Sequence, residues 1–224
     1  IGGDEGVSVF QFTGAPNRPP SVPELLEPAE GASFINRTPT FRVRATDPDN
    51  QSVRVEIEIE FAGQRRLLQS GLAPSGSEFS LSVPSSAPLA PRDYIWRARA
   101  IDEFGGASNW STPRTLTIAN QNPAAPQLLE PEDGETTTVQ PLFRARLTDP
   151  DSDRCRLIVR ISGDGGFERT LESGLVASNS EAQVSATQAL GGGTYTWQAK
   201  TRDEYGAESD WSEARSFTVS ANRI

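Results

Sequence analysis

Histidine and methionine are missing from this 224-residue chain, and cysteine occurs only once, as Cys155. The absence of histidine removes the commonest general base and the commonest metal ligand of proteins. A single cysteine cannot form an internal disulfide or a zinc site made of paired cysteines, so a disulfide-stapled scaffold is excluded. The chain also lacks an uninterrupted apolar stretch of the roughly 18 residues that a membrane-spanning helix needs.

The overall charge narrows the classes of partner. The formal net charge is −9, whereas nucleic acids and anionic membrane surfaces attract proteins with a basic face. We therefore expect no nucleic-acid partner and no membrane insertion in this segment. Hydrophobic residues make up 35% of the chain and charged residues 23%, a composition typical of a folded protein with packed cores.

The chain contains two copies of one module. Four stretches recur in the same order and at a near-constant spacing, which indicates a tandem duplication. The pairs are PELLEPAEG (23–31) with PQLLEPEDG (126–134), FRVRATDPD (41–49) with FRARLTDPD (143–151), LLQSGL (67–72) with TLESGL (170–175), and YIWRARAIDEFGGASNWS (94–111) with YTWQAKTRDEYGAESDWS (195–212).

Each copy has the pattern of an all-β domain. Apolar and polar residues alternate over short segments, as in 53–60 (VRVEIEIE), and turn-forming residues separate these segments. About seven short strands per copy predict two tandem antiparallel β-sandwiches. We expect residues 1–18 to form an N-terminal strand and linker, residues 19–119 the first domain, and residues 120–224 the second domain with a short tail.

The order of these motifs resembles that of a fibronectin type III-like domain of the bacterial extracellular kind. The resemblance covers 19–119 and 122–220. It implies a tyrosine corner at Tyr94 and at Tyr195, in which the hydroxyl bonds to upstream backbone. Where the family usually has a core tryptophan on strand B, this sequence has Phe41 and Phe143, and Trp96 and Trp197 stand on strand F.

The two ends of the chain suggest a longer array. The stretch VSVFQFTGAPNRPP has the same form as RTLTIANQNPAAP, an alternating strand followed by a short linker with asparagine and proline. We expect Val7–Thr13 to be the last strand of a preceding domain or an extra strand of the first module. The C-terminal FTVSANRI stops where another linker would begin.

The repeat also assigns the single cysteine. Cys155 aligns with Val53, the first inward position of strand C in the first module. A buried free cysteine behaves as a small hydrophobic residue. We therefore predict that Cys155 is a core residue and not a reactive or metal-binding thiol.

Acidic residues recur in two loops of each module, and the family topology places these loops, B–C and F–G, at the same pole. Calcium prefers six to eight oxygen ligands from carboxylates, carbonyls and water. Calcium is therefore the one cofactor that the sequence suggests. The candidate ligands are Asp47, Asp49, Asp102 and Glu103 in the first module and Asp149, Asp151, Asp153, Asp203 and Glu204 in the second.

Two details refine that hypothesis. Pro48 and Pro150 favour an extended conformation at the preceding aspartate, which would aim its carboxylate outward. The linker residues 120–122 could add carbonyl ligands and stiffen the joint. However, Asp-Pro-Asp is also ordinary turn chemistry that needs no ion, because aspartate side chains bond to their own backbone. Both interpretations remain open at this stage.

The stretches SNWS (108–111) and SDWS (209–212) are similar to half of the WSxWS box of cytokine receptors. In the first module this likeness predicts cation–π contacts of Trp110 with Arg97 and Arg99. In the second module, Gln198, Lys200 and Arg202 offer a poorer ladder. The leading tryptophan of the box is absent.

The resemblance implies a non-enzymatic structural or adhesive role, secreted or at the cell surface, as a semi-rigid spacer or interaction stalk. The partners would be neighbouring domains of the same chain, another surface or matrix protein, or a polysaccharide. An accessory spacer of a secreted polysaccharide-degrading enzyme and a calcium-stiffened adhesin repeat are the alternatives. A site that is repeated along an array is more often structural than catalytic, and no motif of enzyme chemistry is evident.

Overall fold

The chain folds into two compact units, Ile1–Ile118 and Ala119–Ile224, which we call the first and the second module. The fold is taken from a computed structural model that describes residues 16–220. The expected strand Val7–Thr13 therefore lies outside the described residues. In the part that is described, no helix has the length and apolar character needed to cross a bilayer.

The first module is a sandwich of a three-stranded and a five-stranded sheet. The order of the smaller sheet is β1-β3-β6 and that of the larger is β2-β8-β7-β4-β5, all antiparallel except for the parallel pair β2–β8. The strands are β1 (Glu24–Glu27), β2 (Ala32–Phe34), β3 (Thr40–Arg44), β4 (Val53–Phe61), β5 (Gln64–Gln69), β6 (Glu78–Ser82), β7 (Arg92–Asp102) and β8 (Arg114–Ile118).

The second module repeats this topology. Its sheets have the orders β14-β11-β9 and β10-β16-β15-β12-β13, and a single 3-10 turn at Asp164–Gly166 precedes β13. The strands are β9 (Gln127–Glu130), β10 (Glu135–Thr137), β11 (Leu142–Leu147), β12 (Cys155–Gly163), β13 (Phe167–Glu172), β14 (Ser180–Ser185), β15 (Gly193–Asp203) and β16 (Arg215–Val219). The predicted fold class, two tandem antiparallel sandwiches, is confirmed.

The described part of each module has eight strands where we predicted about seven, because the first strand is divided between the sheets. In the first module β1 pairs with β3 in one sheet and β2 pairs with β8 in the other. Pro28 between them has no backbone N–H to continue a ladder. Gly31 has a φ of +72°, a conformation that glycine adopts without a steric penalty.

Aromatic residues fill the space between the sheets of each module. Phe41 on β3 packs edge-on against Trp96 on β7, with 4.9 Å between ring centroids. Phe143 and Trp197 repeat this contact at 5.1 Å. All four side chains are fully buried. Edge-to-face contact suits the charge distribution of aromatic rings. The core is therefore filled by phenylalanine on strand B and tryptophan on strand F, where the family usually has its tryptophan on strand B.

The tyrosine corner forms in both modules as the resemblance implied. The hydroxyl of Tyr94 donates to the carbonyl of Ala90 at 3.0 Å, and that of Tyr195 donates to the carbonyl of Gly191 at 3.0 Å. Each bond links the start of strand F to the chain four residues upstream. The corner therefore fixes how strand F enters the sheet.

Candidate functional site

The acidic residues of each module lie in two loops that are tied to each other. The loop between β3 and β4 corresponds to B–C, and the loop after β7 corresponds to F–G. Glu103 N–H donates to the carbonyl of Ser52 at 3.0 Å, and Ser52 N–H donates to Glu103 Oε1 at 3.2 Å. Glu204 and Arg154 make the same exchange in the second module. We call these paired loops the acidic pole of each module.

The first aspartate of each Asp-Pro-Asp sequence turns into its own loop. Asp47 Oδ1 accepts the N–H groups of Asp49 and Gln51 at 2.8 and 3.2 Å. Asp149 Oδ1 accepts those of Asp151 and Asp153 at 2.8 and 3.1 Å. The expectation that Pro48 and Pro150 aim these carboxylates outward is wrong, because the loop's own N–H groups hold them inside.

The F–G aspartates do the same for their own loop. Asp102 Oδ1 accepts the N–H groups of Phe104 and Gly106 at 2.9 and 2.8 Å. Asp203 Oδ1 accepts those of Tyr205 and Ala207, both at 2.9 Å. One carboxylate oxygen of each residue is thus used to shape the turn, which leaves its second oxygen for another partner.

In the first module those partners come from the segment that leads into it. The amide of Asn17 donates to Asp102 Oδ2 at 2.9 Å. Arg18 donates its backbone N–H to Asp49 Oδ2 and its Nε–H to Asp49 Oδ1, both at 2.8 Å. These bonds, the backbone one first, lower the pKa of Asp49 from its ordinary value. We call residues 17–18 and their repeat equivalents, 120–121, the lead-in residues.

The second module holds its lead-in residues in the same way. The amide of Asn120 donates to Asp203 Oδ2 at 2.6 Å, and the backbone N–H of Gln121 donates to Asp151 Oδ2 at 2.8 Å. The Gln121 side-chain amide also donates to Asp151 Oδ1. Both side chains direct amide N–H groups to the carboxylates, and carbonyl ligation of an ion by residues 120–122 stays a prediction. A search for donors paired with each aspartate, and not only for metal ligands, could have found this.

Only part of the predicted ligand set comes together as a group suited to a metal ion. One oxygen each from Asp149, Asp151 and Asp153 can lie within 4.8 Å of the others. Within residues 16–220, the four candidates of the first module form no such group of three, and Asp203 and Glu204 are outside the group of the second. Burial raises the pKa of Asp149, and the charges of Asp153 and Asp151 raise it further against the effect of their N–H bonds.

Cys155 lies in the core of the second module next to this group. Its side chain is fully buried among Leu147, Leu157 and other apolar residues. Burial raises the pKa of the Cys155 thiol to about 12, and the nearby carboxylates, Asp149 first among them, add to the rise. Cys155 is therefore a core residue, as the alignment with Val53 predicted.

A second polar arrangement covers the outer face of the larger sheet of the first module. The alternating sequence pattern did not predict that its glutamates are buried. Glu56 and Glu58 on β4 are buried although they alternate with the core residues. Arg99 Nη2 lies 2.7 Å from Glu56 Oε2, and Arg97 Nη2 lies 2.6 Å from Glu58 Oε1. The Trp110 ring then covers both guanidinium groups, at 4.8 Å from Arg97 and 4.7 Å from Arg99, which confirms the predicted stacking.

The second module builds this stack with one cation from each of two strands, β12 and β15. Trp211 contacts Lys200, as predicted, and also Arg160 on β12, whose guanidinium carbon lies 4.5 Å from the ring centroid. Among the described residues Arg202, which was also a candidate, does not stack on Trp211; its Nη2 lies 2.6 Å from Glu208 Oε1. The position of Arg160 directly opposite Gln198 in the β12–β15 register could have indicated this substitution.

The serines of the two tryptophan motifs have a separate structural use. Ser111 Oγ accepts the N–H of Ala98 at 3.1 Å, and Ser108 Oγ accepts that of Ala100 at 3.0 Å. These N–H groups belong to β7 beyond the last residue paired with β8, Trp96. The serine hydroxyls therefore accept the N–H groups that have no partner on β8. This accounts for the two serines of the motif as groups that satisfy the edge of β7.

Comparison with known proteins adds little. No protein-family model matches the chain, and no curated protein matches it. Among solved structures it is similar to the FN1–FN3 domains of chicken CNTN1, with 13% identity, a TM-score of 0.35, and coverage of 91% of this chain and 66% of that one. It is also similar to a tetra-tandem repeat in the extending region of a large adhesion protein, with 19% identity, a TM-score of 0.42, and coverage of 87% and 50%.

The chain thus spans only part of both solved structures. At these identities and TM-scores the likeness carries no argument about function. The fold assignment rests on the strand order of the two modules.

Proposed function

We propose that the chain is a pair of non-enzymatic spacer modules from a secreted or cell-surface protein. Each module fixes the direction in which the preceding chain enters it. The partners in this role are the neighbouring domains of the same chain, and the stalk presents them to another surface or matrix protein or to a polysaccharide. The resemblance of the sequence motifs to bacterial extracellular modules supports the setting.

The observation that carries the proposal is the repeated bonding of the lead-in residues. In both modules an asparagine bonds to the F–G aspartate, and the next residue bonds through its backbone N–H to the second aspartate of Asp-Pro-Asp. The aspartate carboxylates therefore both shape their own loops and bind the lead-in residues. A linker whose backbone is bonded to the following module loses rotational freedom, which is what a semi-rigid spacer needs.

The experiment is a measurement of the distance distribution between two spin labels, one on each module. In a Cys155→Val background, labels are attached at Leu67→Cys and Glu168→Cys, both exposed positions outside the acidic poles. We expect a narrow distribution, because residues 120–121 are bonded to the second module. The double variant Asn120→Ala and Gln121→Ala should broaden it.

A matched control comes from the other lead-in segment. The pair Asn17→Ala and Arg18→Ala removes the equivalent bonds of the first module but does not lie between the labels, so the distribution should keep its width. An equally broad distribution in the parent protein and in the Asn120→Ala, Gln121→Ala variant would refute the spacer function.

A further inference from the structure

The two acidic poles share their fold but differ in their charge balance. Three positions differ in charge when the modules are aligned. Arg18 of the first module corresponds to Gln121 of the second, and Gln51 of the first corresponds to Asp153 of the second. The third is Ser52 of the first module, which corresponds to Arg154 of the second, so each pole has one arginine and the second pole has one more carboxylate.

In the first module, Asp49 and Asp102 are bonded to groups of the lead-in residues. The Arg18 guanidinium lies on Asp49, with Nη2 at 2.7 Å from Oδ1, and it neutralises that charge. Gln51 donates its amide N–H to Asn17 Oδ1 at 2.7 Å, and Asn17 in turn donates to Asp102. The pole therefore contains a cation and a chain of donors directed at acceptors.

The second module keeps the asparagine bond to its F–G aspartate, but it has no cation at the position of Arg18 and no amide side chain at the position of Gln51. Gln121 is uncharged, and an ionised Asp153 can only accept hydrogen bonds where Gln51 donates one. Asp149 and Asp153 are only 7% and 5% exposed, and Asp151 completes the group within 4.8 Å. Arg154, the nearest arginine in sequence, directs its Nη2 to the carbonyl of Leu175.

A second observation points to a ligand for this group. Asp149 uses Oδ1 for the two N–H groups of its loop, and its Oδ2 is buried without a hydrogen-bond partner among the described residues. A buried carboxylate oxygen without a partner is costly, and three like charges at this distance raise the cost further. A bound cation would offset both effects. Asp47 Oδ2 is also unpartnered in the first module, but there the group of three carboxylates is missing.

We propose that the acidic pole of the second module binds one calcium ion through Asp149, Asp151 and Asp153, and that the pole of the first module does not. Calcium fits this site better than magnesium, because it accepts flexible coordination by six to eight oxygens that include water. Magnesium requires a nearly ideal octahedron and gives up its water reluctantly. The three carboxylates leave coordination positions for water.

The inference goes beyond the spacer function. The lead-in bonds of the first module join groups of the chain itself, Asn17 with Asp102 and Arg18 with Asp49. The two proposals can therefore fail separately: one is read from distances between modules, and the other from the stoichiometry of calcium binding.

The experiment exchanges two pairs of aligned residues between the modules, Arg18 with Gln121 and Gln51 with Asp153. Calcium chloride alone is the probe. Isothermal titration of the whole chain should give one site, with a dissociation constant of about 10⁻⁴ to 10⁻³ M, the range of extracellular modules. Asp153→Gln with Gln121→Arg gives the second pole the residues of the first, and calcium binding should fall at least tenfold. Gln51→Asp with Arg18→Gln gives the first pole those of the second, and a second site should appear.

These exchanges introduce side chains that the same fold already holds in the other module, and circular dichroism checks that the variants are folded. Asp210→Asn, an exposed acidic position outside the group of Asp149, Asp151 and Asp153, is the control and should leave the binding unchanged. The proposal is overturned if the parent protein binds no calcium up to about 10 mM, well above the range for such modules. It is also overturned if the Asp153→Gln, Gln121→Arg variant still binds calcium as the parent does.

Discussion

Replacing Arg99 by methionine removes the counter-ion of a buried carboxylate on the outer face of the first module. The side chain of Glu56 is 7% exposed, and both Nε and Nη2 of Arg99 lie 2.7 Å from its Oε2. Methionine keeps much of the aliphatic length of arginine but supplies no charge and no donor. Gln69 Nε2, at 3.0 Å from Oε1, is then the donor side chain still bonded to Glu56.

The expected loss follows from this geometry. Breaking a buried ion pair by removing one partner typically costs 3–5 kcal/mol, because it leaves an uncompensated charge. Arg99 is itself 35% exposed and the Gln69 bond survives. We therefore expect the lower end, a loss of about 3 kcal/mol in the free energy of unfolding of the first module. Adding Glu56→Gln removes the stranded charge and should restore about half of that loss.

Urea unfolding followed by tryptophan fluorescence measures the effect. With a slope of about 2 kcal/mol per molar urea, a loss of 3 kcal/mol lowers the midpoint by about 1.5 M. The transition of the second module should not move and serves as an internal reference. Arg42→Met is the control, since its partner Glu78 is 40% exposed and such pairs contribute little.

Two results would refute this reasoning. The first is an Arg99→Met midpoint no lower than that of Arg42→Met. The second is a double variant with Glu56→Gln that is as unstable as Arg99→Met alone. Either result would mean that the stability of the first module does not require Arg99 as the counter-ion of the buried Glu56.

Three further predictions follow from single contacts. Cys155→Val should change the free energy of unfolding by less than about 1.5 kcal/mol, as volume-conserving core exchanges do, and a thiol reagent should label the parent protein quickly only after denaturation. Tyr94→Phe removes the bond to Ala90 and should destabilise the first module by about 1 kcal/mol in the same urea assay. The pKa of Asp49 is lower in the folded protein than its ordinary value, so its bonds to Arg18 stabilise the module above that value and are lost as the pH falls through the folded pKa. In a carboxyl NMR titration, Arg18→Gln should raise the pKa of Asp49; an unchanged pKa would contradict the assigned contact.

Much of the fold could be predicted from the sequence, because its signals are local or repeated. Alternation in β4 predicts a strand with Val53 and Ile57 facing the core, and both are fully buried. The repeat identifies Cys155 as a core residue without any knowledge of its surroundings. The resemblance to a fibronectin type III-like domain implies the tyrosine corner, and the bond that forms it spans only four residues.

The buried outer face could not be predicted in the same way. Glu56 and Glu58 look like solvent-facing residues of an alternating strand. Their partners, Arg99 and Arg97, stand on a different strand, β7, and Trp110 covers both guanidinium groups. Pairing across strands is set by register, and hydrophobic alternation alone does not report it.

The acidic poles likewise have one feature that the sequence predicts and one that it does not. That B–C and F–G loops meet follows from the topology, and the structure joins them through Glu103 and Ser52. What each carboxylate bonds to does not follow, because Asp47 has donors within its own loop and Asp49 takes its donors from Arg18. Several N–H donors compete for each carboxylate, and each hydrogen bond contributes only a small net free energy. The choice among these donors is therefore not evident from the sequence.

The most direct test of the account is the backbone order of the lead-in residues, measured by ¹⁵N relaxation in the whole chain. The N–H groups of Arg18 and Gln121 donate to Asp49 and Asp151, each at 2.8 Å. We therefore predict order parameters of about 0.85 for both amides, equal to those of the strands. Values below about 0.6 would show that the acidic loops do not hold the incoming chain and would contradict the account.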